Sequence, residues 1–183
     1  MSFQTNLLLW RIRAGSILNK LRLKFRAFTW KIRGMKTKKK SASIIKTTTN
    51  YWIHSQSKTT VGLGIASPPF IKMALDVTPE QLVSNLLIAL EKSGGIVPHP
   101  KDWKASEKEF NKNLEIKTKK AFYAGSKCCG VSEQDNTIVL SPTERVGNMG
   151  SFIHSPESDV SISRFESPEK IFEAVQEVFE RSK

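Results

Sequence analysis

Two stretches of the chain carry a strong helical pattern. In residues 78–93, apolar side chains recur every three or four positions after a Thr-Pro-Glu start, and two glycines follow. Threonine caps helix N-termini, proline is favoured at the first helical position, and glycine is favoured just beyond the end. Residues 167–182 repeat the pattern after a Ser-Pro-Glu start. The sequence therefore predicts two capped helices, each with one apolar face.

Shorter runs of alternating or β-branched residues predict strands. These runs lie at residues 44–45, 51–53, 61–66, 71–75, 137–140 and 160–162. Because proline cannot donate a hydrogen bond to a neighbouring strand, we expect the Ser-Pro-Pro run at 67–69 to end a strand. Residues 133–136 are typical of a turn, and the Gly-, Asn- and Ser-rich segment 146–157 is typical of a mobile loop.

The two halves of the pattern match each other. The second helix starts 89 positions after the first, and Val160 and Ile162 before it correspond to Ile71 and Met73. One departure is Arg164, which stands where the first copy has the apolar Leu75. The predicted fold is α+β: a mostly antiparallel sheet built from two strand–strand–helix pseudo-repeats, with the helices packed on the sheet.

The net charge of +12 comes from the start of the chain. The first 40 residues contain twelve Lys or Arg and no acidic residue, whereas residues 41–183 contain 17 basic and 17 acidic residues. We therefore expect a basic N-terminal arm and linker over residues 1–41 and a neutral domain over residues 42–183. A neutral domain does not favour direct binding of nucleic acid.

Three interpretations of the arm remain open. In residues 1–33, apolar positions recur at helical spacing among basic ones, which is typical of a helix lying on an anionic membrane surface. Membrane contact is expected only through these residues. The same pattern also fits a helix packed on the domain or on a second copy. In the third interpretation the native chain begins at Met35 and the preceding residues are an extension.

The sequence offers little chemistry for catalysis or for metal binding. His54, His99 and His154 are separated by 45 and 55 residues, without the spacing of a shared ligand set. Cys128 and Cys129 are adjacent, so on a strand they point to opposite faces, and reduced core thiols are expected. We predict no catalytic residue, metal or cofactor. The chain is expected to be a cytoplasmic binding protein rather than an enzyme.

Acidic residues suggest two places where a basic partner could dock. On the second helix, glutamates recur at intervals of four, four and three residues, opposite the apolar face. We call these residues the acidic stripe: Glu169, Glu173, Glu177 and Glu180. A second candidate is the predicted loop pair Glu133 and Asp135. An ordinary solvated helix face is the alternative explanation of the stripe, whereas a docking surface would speed association with a basic protein.

Several segments together resemble a known family. They are residues 52–64, 96–103, 121–127 and 138–143, and both helices with a Thr-Pro-Glu or Ser-Pro-Glu start. The pattern is similar to that of the immunity proteins of bacterial contact-dependent growth inhibition systems, in particular the group that neutralises a ribonuclease-A-like toxin. It covers residues 51–182, so the N-terminal arm lies outside it.

The resemblance implies a function. It implies a cytoplasmic protein that binds the C-terminal toxin domain of a delivered effector, a ribonuclease, and blocks its active site. The acidic stripe and the pair Glu133 and Asp135 are the candidate contacts with that toxin domain. The alternative is a peripheral membrane protein anchored by its basic amphipathic N-terminal helix.

Overall fold

The computed structural model describes residues 38–146, 151–155 and 158–183, and Lys38–Lys183 forms one compact unit. The arm predicted over residues 1–33 lies outside the described residues. The elements follow in this order: β1 (Lys40–Lys46), β2 (Asn50–Thr59), β3 (Gly64–Ala74), α1 (Pro79–Lys92), β4 (Ile96–Val97), α2 (Trp103–Asn113), α3 (Lys119–Tyr123), β5 (Lys127–Gln134), β6 (Thr137–Val146), β7 (Ser151–His154), β8 (Val160–Ser163) and α4 (Pro168–Arg181).

One mostly antiparallel sheet runs through the described part of the chain. Its strand order is β3-β2-β1-β5-β6-β7, with β8 also paired to β6 and the short β4 running parallel to β2. At the centre β1 and β5 pair antiparallel, with Ile44 opposite Cys129. The α+β class and the antiparallel sheet are confirmed.

The pseudo-repeat is visible in the topology. The first copy runs β1-β2-β3-α1 and the second runs β5-β6-β8-α4, and the two copies meet at β1 and β5. A strand–strand–helix repeat is therefore present, but the strands predicted at 61–66 and 71–75 belong to the single strand β3, so the strand pair of the first copy is β2 and β3. Each copy has one further strand in front of it. Both predicted helices are confirmed. Thr78 caps α1 in a capping box with Gln81, and the Ser167 hydroxyl accepts a hydrogen bond from the backbone N–H of Lys170 at the start of α4.

The prolines do not end the strand as expected. β3 continues from Gly64 to Ala74 through Pro68 and Pro69. In the register, His54 lies opposite Phe70 whereas Ser55 lies opposite Ser67, so both prolines bulge out of the ladder. β3 is also at the edge of the sheet, where a missing N–H donor costs little. The predicted strand at 61–66 is wrong in its first half, because residues 60–62 form a turn before β3.

The predicted loop over 146–157 is wrong in part. Ser151–His154 forms β7 and pairs antiparallel with β6, with Thr143 opposite His154. Residues 147–150 and 156–157 lie outside the described residues. The turn predicted at 133–136 is narrower than expected, since β5 extends to Gln134 and only Asp135 and Asn136 adopt left-handed backbone angles, at φ of 52° and 62°.

Apolar side chains cover both faces of the sheet. On one face α1 and α4 pack over the strands, with Leu86 and Val175 fully buried. On the other face the segment around α2 and α3 packs Leu114 and Tyr123 against the sheet. The adjacent cysteines divide between the faces, with Cys129 in the first cluster and Cys128 in the second. Their predicted opposite orientation is confirmed.

Candidate protein-binding surfaces

The acidic stripe lies on the solvent face of α4. All four glutamates are exposed, while Ile171, Val175 and Val178 on the opposite face are buried. Arg181 donates a hydrogen bond to Glu177 one turn away. A hydrogen bond from Ser167 holds the pKa of Glu169 below its usual value, so this carboxylate is charged at neutral pH. The stripe therefore presents negative charge to solvent, as expected from the sequence.

The second candidate pair is separated by the fold. Glu133 lies in β5 rather than in a loop, and only 5% of its side chain is exposed. Of the pair, only Asp135 lies in the exposed turn between β5 and β6. The expectation of two neighbouring loop carboxylates is wrong, because the strand extends further than the turn-forming composition suggested.

Glu133 belongs to an ion cluster that links the two pseudo-repeats. Arg164, from the turn after β8, donates to Glu133 Oε1 at 2.6 Å and to Glu91 Oε1 at 2.7 Å. Lys40 of β1 lies 2.8 Å from Glu91 Oε1 and 3.6 Å from Glu133 Oε1. Hydrogen bonds from Lys40 and Arg164 lower the pKa of Glu91. Two cations and two carboxylates therefore share one site between β1, β5, α1 and the β8–α4 turn.

The sequence carried one signal for this cluster. Arg164 interrupts an apolar correspondence between the two copies, since Leu75 stands at its place in the first copy. A charged residue at a position that the repeat makes apolar requires a partner. The partners come from three distant segments, so no local pattern pointed to Glu91 or Lys40.

A groove of about 810 Å³ lies between the first half of β3, residues 97–100 and α2. Its wall includes Trp103, which is 49% exposed, and Phe110. Some of the acidic residues in its wall already have hydrogen-bond partners within the domain. Asp102 accepts from the backbone N–H groups of Lys104 and Ala105, capping α2. Sequence reasoning missed this groove because its walls are far apart along the chain.

The histidine side chain of β2 and the two cysteine side chains of β5 are buried. His54 contacts the rings of Phe70 and Phe110 at centroid distances of 5.9 and 6.4 Å. Burial raises the pKa of Cys128 to about 12 and also raises the pKa of Cys129, so both thiols are protonated at neutral pH. Across the described residues, no three His, Cys, Asp or Glu side chains converge as metal ligands.

Burial of His54 gives a testable pH dependence. Desolvation lowers the pKa of His54 in the folded state below the value of 6.5 that is typical of an exposed histidine. The unfolded chain therefore binds a proton that the folded chain does not, and stability is lost as pH falls below about 6.5. We expect this loss to approach ~1.4 kcal/mol per pH unit.

Urea unfolding of the wild type and of His54→Phe between pH 7.5 and pH 5 measures this loss. The substitution is expected to flatten the dependence in that range. His154→Gln is the matched control, because His154 is half exposed and pairs with Asp159. An equally steep dependence in His54→Phe would contradict the assignment.

Among the described helices, none is both long enough and apolar enough to cross a bilayer. A search of curated proteins gave no match. Solved structures do match. A protein of unknown function from Neisseria meningitidis superposes with a TM-score of 0.65 at 19% identity, covering 79% of this chain and 96% of that chain. A CdiA-CT/CdiI toxin and immunity complex from Yersinia pseudotuberculosis gives 0.64 at 19% identity, covering 81% and 99%.

The structural matches establish the fold, and the sequence establishes the family. Both solved structures are too distant in sequence to indicate more than a shared architecture. The profile of the CDI immunity proteins, however, matches residues 40–182, which is the whole sheet with its helices. The resemblance noted in the sequence is confirmed, and the chain belongs to the CDI immunity protein family.

Proposed function

We propose that this protein binds the C-terminal toxin domain of its cognate contact-dependent growth inhibition effector in the cytoplasm and that this toxin is a ribonuclease. Inhibition is stoichiometric: the bound domain covers the catalytic cleft, and no bond is made or broken. The observation that carries the proposal is the family match over residues 40–182. The similarity in fold to a protein from a toxin and immunity complex is in accord with it.

Charge gives the proposal its physical basis. An enzyme that cleaves RNA needs a basic cleft, because phosphate contacts dominate its affinity for the substrate. A protein that blocks such a cleft must offer carboxylates in place of the phosphates. The acidic stripe of α4 offers four exposed carboxylates along one helix. Glu133 is left out of this surface because it is buried, and Asp135 remains a separate candidate.

The cognate toxin domain provides the direct test. Purified toxin is incubated with RNA and with DNA of matched length, and this protein is added in increasing amounts. We expect RNA to be cleaved and to become fully protected at one protein per toxin. Cleavage of DNA alone would overturn the ribonuclease assignment and leave the immunity function standing. Failure to protect any substrate or to bind the toxin would overturn the immunity function itself.

Reversing part of the acidic stripe is expected to slow binding. In the Glu173→Lys/Glu177→Lys double variant, we expect the association rate with the toxin to fall by roughly three- to tenfold, because long-range attraction is lost. The wild-type rate should fall with added salt, and the rate of the variant should depend on salt less. Surface plasmon resonance at two ionic strengths measures both effects.

The matched control for this prediction keeps the same change in net charge. Asp76→Lys/Glu109→Lys reverses two exposed acidic residues, one on the turn after β3 and one on α2, which packs on the opposite face of the sheet from α4. Its association rate should stay closer to that of the wild type. Equal slowing in both double variants would mean that only the net charge matters and would remove any specific role of the stripe.

A further inference from the structure

The outward side of α1 carries an apolar groove that the described residues leave open. It has a volume of about 460 Å³, and its apolar wall is formed by Val83, Leu87 and Ile88 of α1 with Pro168 of α4. Ile88 is 46% exposed although it is a large aliphatic residue within a 14-residue helix. The helix already buries its other apolar face against the sheet, so the fold does not require an isoleucine here.

A second exposed apolar side chain lies close by. Phe165 is 77% exposed, in the turn between β8 and α4. Residues before and after it along the chain lie at the groove. Arg164 contacts Glu91, which lines the groove, and Pro168 forms part of the apolar wall. Ile88 and Phe165 together give this side of the domain two large apolar groups without cover from the described residues.

The groove is continuous with the acidic stripe. Glu80 lines the groove at the start of α1, and Pro168 of the groove wall directly precedes Glu169, the first residue of the stripe. An apolar centre with a charged rim is the usual arrangement of a protein-binding surface. The carboxylates of the rim extend directly into the surface that the proposed function assigns to a basic toxin.

Charge distinguishes this groove from the larger one beside α2. Helices α1 and α4 contain six glutamates against three basic residues. Residues 101–120, which carry α2, contain seven lysines against four acidic residues. A basic partner is therefore attracted to the side of α1 and α4 and repelled from the side of α2. The smaller groove fits a basic partner better, although the α2 groove has more volume.

We propose that the groove between α1 and Pro168 holds an apolar side chain of the cognate toxin, carried next to the basic residues that meet the acidic stripe. This inference rests on the proposed function and adds the anchor point of the same partner. Buried apolar anchors mainly slow dissociation, whereas charges at the rim mainly speed association. Substitutions in the groove should therefore change mainly the dissociation rate, and substitutions in the acidic stripe should change mainly the association rate.

The test compares Ile88→Ala with Trp103→Ala. The two residues are similarly exposed, at 46% and 49%, and they line the two different grooves. Binding of each full-length variant to the purified toxin is followed by surface plasmon resonance. We expect Ile88→Ala to raise the dissociation rate by roughly five- to thirtyfold with little change in association rate, and Trp103→Ala to leave both rates unchanged. Thermal melts confirm that each variant is folded.

Three outcomes would overturn the inference. Unchanged dissociation in both Ile88→Ala and Phe165→Ala, with wild-type protein still binding the toxin, would exclude the groove as an anchor. A faster dissociation only in Trp103→Ala would place the anchor in the α2 groove. A wild-type dimer that separates in Ile88→Ala, measured by light scattering without toxin, would show that a second copy covers the groove. Absence of toxin binding by the wild type would instead overturn the proposed function.

Discussion

Leu86→Ala is expected to destabilise the domain by about 2–5 kcal/mol. Leu86 is fully buried in α1, within the cluster that joins both long helices to the sheet. Truncation to alanine removes this apolar contact and leaves a cavity between the helix and the strands. Val175→Ala at the equivalent place in α4 should cost somewhat less, about 2 kcal/mol, because fewer atoms are removed.

Urea unfolding monitored by circular dichroism measures both variants. Ile88→Ala is the control on the same helix, since Ile88 faces solvent, and its effect should stay within ~0.5 kcal/mol. A neutral result for Leu86→Ala would mean that α1 does not belong to the core. A neutral result for Val175→Ala alone would mean that the second copy is packed differently from the first.

The long helices were predictable because their signals are local. A capping residue, a proline at the first position and apolar residues at helical spacing all act within 16 residues of chain. The structure confirms each of these features at Thr78 and Ser167. The solvent-facing acidic stripe followed from the same periodicity, since a helix with one buried face must expose the other.

The errors came from features that depend on distant partners. Pro68 and Pro69 are tolerated inside β3 because that strand is at the edge of the sheet and the register shifts beside them. β7 forms because residues 143–146 of β6 extend beyond the part that pairs with β8. Neither the edge position of β3 nor the additional length of β6 can be inferred from the local sequence.

In the candidate site too, features that depend on distant partners could not be predicted, and the ion cluster around Glu133 is an example. Glu133 stands in a turn-forming stretch of sequence, residues 133–136. Only the approach of Arg164 and Lys40 allows its carboxylate to be buried. The α1 groove likewise depends on the placement of Pro168 beside the outward face of α1. Residue types indicated which surfaces could be charged, and the tertiary fold decided which of them reached solvent.

Arg164→Leu is expected to destabilise the domain by about 2–3 kcal/mol, because it leaves the buried Glu133 carboxylate without its closest cation. The full cost of breaking a buried pair is higher, but Lys40 remains 3.6 Å from Glu133 and the Arg164 side chain is partly exposed. The variant places in the second copy the residue type that the first copy has at the corresponding position, Leu75.

The double variant Arg164→Leu/Glu133→Leu separates lost attraction from stranded charge. If the cost of the single variant comes from a buried carboxylate without a partner, removing that carboxylate should restore about half or more of the lost stability. Denaturant unfolding of the wild type, both single variants and the double variant forms a complete cycle. Additive losses in the double variant would contradict this account, because they would mean that Arg164 and Glu133 stabilise the domain through separate contacts rather than through each other.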